Sequence, residues 1–168
     1  MKAFLCSCLL AVFATVAMGQ AIPNVASYTL TAKEDYAKAN EAVLQCANYL
    51  LSAPMNEQDA DRMKANAFIL KWMTGTPDFT FGLDATIAEA SKKDEQVLLL
   101  YMTAMSKVAL ENPTKAKDND FVRLQAWHLL LNYYSNPTNK MKKNKALNKL
   151  VDALNENRLE KALGMSLR

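Results

Sequence analysis

The chain has 168 residues, 51% hydrophobic and 22% charged, with 20 basic side chains against 17 acidic ones and a formal net charge of +3. This length fits one domain with a core large enough to need no staples, and leaves too little chain for two. So small a charge excess does not by itself select nucleic acid or an anionic membrane as a partner.

The N-terminus reads as a secretory signal peptide over residues 1–19. Lys2 precedes a mostly apolar run from Ala3 to Met18, and Ala17-Met18-Gly19 supplies the small-residue pattern for a cut after Gly19. Cleavage removes Cys6 and Cys8 and leaves Cys46 as the one mature cysteine, which excludes an internal disulfide framework in an oxidising compartment. Cys6 and Cys8 also stand too early for lipoprotein acylation. The mature chain is therefore expected to be exported, periplasmic or secreted, with no stable membrane anchor. The longest later apolar run, residues 97–110, is interrupted by Thr103, Ser106 and Lys107 and falls short of the roughly 20 residues of a membrane span.

Residues 20–30, which include Pro23, are expected to form an extended or disordered leader, followed by a helical domain over residues 31–168. Thr31 and Glu34 match a capping box and predict a helix over about residues 32–52, with Tyr36, Val43, Ala47 and Leu50 on one face and Pro54 beyond its end. Asn56 is a candidate N-cap for a helix over about residues 57–74, with Gly75 past its end. After the loop at residues 75–82 comes a short helix over about residues 84–91. The segment at about residues 94–111 is apolar nearly all round, with only a strip through Gln96, Thr103 and Lys107 left to face water, so this helix belongs at the centre. Asn112-Pro113-Thr114 stops it, and Asn136-Pro137-Thr138 stops the next helix, at about residues 118–135, which gives the second half the look of antiparallel hairpins. Leu147, Leu150, Val151 and Leu154 predict a last long helix over about residues 140–155, and a final short turn carries Leu159 and Leu163. The expected fold is all-α, a single domain of five to six helices arranged as an orthogonal bundle or a short helical-hairpin array. No solenoid period is visible.

Residue types that carry hydrolytic or metal chemistry are scarce. His128 is the only histidine, and no HExxH, CxxC, GxSxG or glycine-rich phosphate loop is present. On its helix His128 falls on a polar strip with Gln125, Asn132 and Ser135. Cys46, at the edge of an apolar face, reads as an inert buried thiol; a nucleophile pair with His128 requires the fold to bring the two together. The carboxylate pairs Asp59 and Asp61, Asp94 and Glu95, and Asp118 and Asp120 each stand at a predicted helix start, where free N–H groups favour negative charge. No cofactor and no metal are expected.

Two surfaces remain as candidates. The loop region combines Trp72, Pro77, Asp78, Phe79 and Phe81, which either form a binding pocket or partner contact or plug the end of the bundle. Lys140, Lys142, Lys143, Lys145 and Lys149 form a basic block with no acid until Asp152, suited to a phosphate-rich glycolipid, a polyanionic glycan or an acidic protein, or else a solvated helix face. The block lacks the interleaved aromatics that single-stranded nucleic acid would favour. Tyr49, on a face with Lys38, Glu41 and Gln45, is a smaller candidate contact.

Residues 68–81 read FILKWMTGTPDFTF, an aromatic-ended helix running into a Gly-Thr-Pro-Asp turn. With the signal peptide and the helical remainder, this resembles exported all-helical proteins of unknown function from Bacteroidetes-type bacteria. The resemblance implies a periplasmic or secreted location in a Gram-negative cell and transfers no catalytic residues. The reading that follows is a non-enzymatic exported interaction or binding module of the cell envelope, its partner another envelope or secreted protein. The alternative is a carrier for a small apolar ligand with its mouth near Trp72 and Phe81, and an enzyme of unidentified class is a remote third.

Overall fold

The computed structural model describes residues 22–165, so the expected signal peptide lies outside it. The described residues form an all-α single domain of seven helices: α1 (Lys33–Ser52), α2 (Ala60–Gly75), α3 (Ala85–Ser91), α4 (Glu95–Glu111), α5 (Asn119–Ser135), α6 (Lys145–Asn155) and α7 (Leu159–Ala162). Short 3-10 turns occupy Val25–Ser27 and Pro137–Asn139. The centre is α4, which packs against α1, α2, α3 and α5 as its nearly unbroken apolar surface requires. Val97, Leu100, Tyr101, Met105 and Val108 are buried there, and the Tyr101 ring meets Trp127 of α5 at 5.0 Å between centroids. Thr103, expected to face water, is buried together with Ser106. Each hydroxyl bonds back to a carbonyl four residues earlier, Leu99 at 2.8 Å and Met102 at 3.0 Å, which satisfies the donor inside the core.

Short polar side chains set where the helices begin, and three starts differ from the sequence expectation. The carboxylate at the start of α1 is Asp35, not Glu34: it accepts from the Ala32 N–H at 2.9 Å and the Thr31 N–H at 3.3 Å. Asp59 caps α2 through the N–H groups of Asp61 (2.8 Å) and Arg62 (3.2 Å), while Asn56 is spent on an earlier turn with the Gln58 N–H, so the helix starts at Ala60 and not at residue 57. Asn144 caps α6 through Ala146 (2.9 Å) and Leu147 (3.1 Å), which leaves residues 140–143 outside the helix as an irregular strap with Lys140 at φ 55°. Of the segment expected to be an extended or disordered leader, residues 22–30 are described and pack on the domain. Leu30 is buried, Tyr28 packs on Phe68 at 5.4 Å, and the Tyr36 hydroxyl donates to the Leu30 carbonyl at 3.1 Å.

One buried cation joins the ends of three helices. Arg62, 2% exposed, donates from Nη2 to the Ala53 carbonyl at 2.8 Å, with the carbonyls of Pro54 (3.2 Å) and Leu50 (3.3 Å) beside it. These are carbonyls at and just beyond the C-terminus of α1, where the helix dipole favours positive charge. The Tyr133 hydroxyl, from the end of α5, donates to the same Ala53 oxygen at 2.6 Å and lies 3.3 Å from Nη2. Asn139 continues the chain: its side-chain amide donates to the Tyr133 carbonyl at 2.9 Å, and its own carbonyl accepts the Met55 N–H at 2.8 Å. Beside this junction the Tyr49 hydroxyl donates to Asp59 at 2.7 Å. Burial, followed by that bond, pushes the Tyr49 phenol up to about 12. The same bond, with the Arg62 N–H next, holds Asp59 below its usual value.

Replacing Arg62 with Met is expected to lower unfolding free energy by about 3 kcal/mol, because the carbonyls it serves lose a charged donor. Tyr133→Phe should cost about 1 kcal/mol in the same urea titrations. For Tyr49→Phe the expected loss is roughly 0.5–1 kcal/mol, with a defined pH profile. Asp59 is depressed in the folded state, so its contribution is complete above the ordinary carboxylate range and fades as pH falls through the lower folded value. Tyr49 is raised from 10.0 to about 12, so its contribution is complete below pH 10 and fades as pH climbs toward 12. The gap between Tyr49→Phe and the parent should therefore be flat from about pH 5 to 9 and narrow at both extremes.

Candidate functional site

Two side chains of the aromatic loop pack onto α2. Trp72 is fully buried on α2, and its indole N–H donates to the Tyr36 carbonyl and to Asn40 Oδ1, both at 3.1 Å. Phe79 and Phe81 close over it with ring centroids at 5.5 and 5.9 Å, and lie 6.3 Å from each other. Both are half-buried, while Pro77 and Asp78 at the tip are exposed. Three aromatics thus share one cluster in which Trp72 is the floor and the two phenylalanines are the cover. The neighbouring Gly75 is a site of close approach: a Cβ there would overlap the hydroxyl and ring of Tyr36. Tyr49, read as a candidate contact, spends its hydroxyl on Asp59.

Cys46 and His128 have different surroundings. Cys46 is completely buried, and desolvation pushes its thiol up to about 12, which keeps the reactive thiolate scarce. His128 lines an outer groove of about 340 Å³ with Leu124, Leu154, Asn157 and Arg158. Of the three carboxylate pairs, Asp59, Asp94 and Asp118 are N-caps, each accepting from a backbone N–H of its helix. No group of three or more His, Cys, Asp or Glu suited to a metal occurs among the described residues. Nor does any helix there have the length and apolarity to cross a membrane.

The basic block has a different form from the one expected. Lys140, Lys142 and Lys143 lie on the strap before α6, and only Lys145 and Lys149 are helical. The capping geometry of Asn144 explains the division, and Asn144 also ties the strap to its surroundings. Its side-chain amide donates to the Ala90 carbonyl of α3 at 2.8 Å, and its N–H donates to the Tyr134 hydroxyl at 3.0 Å. That stitch brings the strap alongside the turn between α3 and α4, where Lys92 and Lys93 stand. Lys92, Lys93, Lys142, Lys143 and Lys145 line one groove of about 500 Å³, together with Ala90 and Ala146.

Two further grooves share its walls. One, of about 350 Å³, runs past Lys140, Lys142 and Asp94 toward Met55. The other, of about 610 Å³, runs past Lys145, Ala146 and Lys149 toward α7. Acids temper the charge at three points. Glu89 pairs with Lys92, Glu57 with Lys142 at 2.6 Å, and Asp94 caps α4. The bond to Glu57 and its charge raise the Lys142 ammonium above its usual value, so it stays protonated. Lys93, Lys140, Lys143, Lys145 and Lys149 are exposed and enter no ion pair among the described residues. Sequence reasoning missed Lys92 and Lys93. Their one signal was their position in a tight turn between two helices, and nothing local connects that turn to residue 144.

No protein-family model, curated protein or solved structure matches the chain.

Two outcomes follow from these surroundings. Phe79→Ala and Phe81→Ala should each lower stability by about 2 kcal/mol in urea unfolding, less than a fully buried phenylalanine because both rings keep some exposure. The Cys46 thiol should resist an alkylating reagent at pH 8 in the folded protein and react fully in denaturant; rapid labelling of the native protein, followed by mass spectrometry, would contradict the buried placement.

Proposed function

We propose that the protein is a non-enzymatic helical binding module working outside the cytoplasm, and that its working surface is the lysine-lined groove between the α3–α4 turn and the strap before α6. The observation that carries this reading is convergence. Two lysines from the α3–α4 turn, two from the strap and Lys145 at the start of α6, some 50 residues away in the chain, line a single groove, held in register by the Asn144–Ala90 hydrogen bond. Like charges drawn together on opposite walls repel one another unless an anion lies between them, so the arrangement favours a bound anionic partner.

The aromatic loop serves this module as structure. Trp72 has its polar atom satisfied internally and packs against Phe79 and Phe81, which supports a structural role for this cluster over the mouth of an apolar carrier. Export rests on the N-terminal pattern of Lys2, the apolar run and Ala17-Met18-Gly19.

An NMR titration with tripolyphosphate, a generic polyanion, tests the reading. The largest amide shifts are expected at residues 92–94 and 142–146, and the quadruple variant Lys92→Gln, Lys93→Gln, Lys143→Gln, Lys145→Gln should weaken binding about tenfold or more. Shifts centred on residues 76–83, or spread evenly over every surface lysine, would contradict it.

A further inference from the structure

The lysines form a line, not a cup. The groove past Lys140 shares Lys142 and Asp94 with the central groove, and the central groove shares Glu89, Lys145 and Ala146 with the groove past Lys149. One continuous track therefore follows the strap and enters the first turns of α6, with α3 and the start of α4 as its far wall. Seven lysines line it against Glu57, Glu89 and Asp94, a local excess of four positive charges.

The chemistry of the lining narrows the occupant. Lysine is a point charge on a flexible stem, and no arginine fork is present to grip one phosphate or carboxylate in fixed geometry. No aromatic side chain lines the track, so it offers unpaired bases nothing to stack on. Ala90 and Ala146 are the apolar residues of its central stretch, and the larger Met55, Met141 and Leu150 line only its two ends, so the centre offers little to the large apolar anchors of a protein partner. A flat bilayer would meet the rims of the track and leave its floor empty. What remains is a narrow polymer with anionic groups repeated along its length.

Resting on the proposed anion-binding role of this groove, we infer that the ligand is a linear polyanionic glycan, sulfated or rich in uronate, lying along the whole track from Lys140 to Lys149. Each lysine contact is weak alone, and affinity comes from their number along the chain.

Calorimetric titration with size-defined sulfated heparin oligosaccharides, from disaccharide to dodecasaccharide, tests this, alongside tripolyphosphate and vesicles containing phosphatidylglycerol. Affinity should rise about tenfold from disaccharide to octasaccharide and then level off, with a steeper salt dependence for the longer chains. The pair Lys140→Gln, Lys149→Gln, at the two ends of the track, should weaken the octasaccharide about threefold or more while leaving the disaccharide unchanged. Lys93→Gln with Lys143→Gln, at the centre, should weaken both. All these positions are exposed, so the variants should keep the parent circular dichroism and urea midpoint. Equal affinity for disaccharide, tripolyphosphate and octasaccharide would overturn the inference while leaving a compact anion site in place. Binding to vesicles without binding to any oligosaccharide would overturn it in favour of a membrane surface. Binding to none of the anions would overturn both the inference and the anion-binding role beneath it.

Discussion

A single buried guanidinium organises one end of this protein. Arg62 stands among the terminal carbonyls of α1 with no carboxylate among the described residues bonded to its side chain, so its charge is stabilised by peptide dipoles, the Tyr133 hydroxyl and the nearby Asp59. An arginine removed from water is costly unless its donors are met. Here the bonds run from Nη2 while Nε has no partner among the described residues, and those Nη2 bonds fix the geometry of the groups that supply an acceptor. The C-terminus of α1, the first turn of α2 and the last turn of α5 are consequently locked to one another. Through Tyr133 and Asn139 the same polar chain reaches the 3-10 turn at Pro137–Asn139, from which the basic strap departs. Asn144 then closes the strap against α3. The strap is thus hydrogen-bonded to the interior at one end and to a capped helix at the other.

A second tie acts on the far wall. Asp84 caps α3 and accepts two hydrogen bonds from Arg123 of α5, at 2.9 Å from Nε and 2.7 Å from Nη2. Both side chains are about one-fifth exposed, a setting in which a two-bond pair contributes more than a solvated one. It holds α3, a helix of only seven residues, in the place where Ala90 meets the Asn144 amide. A helix so short has little stability of its own, and its orientation comes from these contacts.

Much of the architecture was legible in the chain. The all-round apolar character of residues 94–111 placed α4 at the centre, and the two Asn-Pro-Thr stops marked the ends of α4 and α5 within a residue. The starts were harder, because Thr31 with Glu34, Asn56 and a start near Lys140 were the local signals and tertiary context chose otherwise. Asn56 lost to Asp59, whose carboxylate also receives the Tyr49 hydroxyl. Residues 140–143 lost helical form because Asn144 gained both a cap and the Ala90 carbonyl. Arg62 gave no sign of burial, since on a helical wheel it is an ordinary charged residue in a first turn; its role depends on carbonyls that the fold brings to it. For the same reason Lys92 and Lys93 did not read as partners of the basic block. Side chains that act across a distance in the chain leave little trace in local pattern, whereas apolar periodicity and caps leave a clear one.

The central claim is that one polar chain, running from Arg62 through Tyr133 and Asn139, holds the strap that displays the lysines. Native-state amide hydrogen exchange on Asn139→Ala measures this most directly, since that change removes the side-chain bond to the Tyr133 carbonyl. The account predicts faster exchange not only at Met55 but also at Asn144, Ala146 and Leu147, whose N–H groups depend on the position of the strap. Loss of protection confined to Met55 and its neighbours, with residues 144–147 unchanged, would show that the strap is held independently and would contradict the claim.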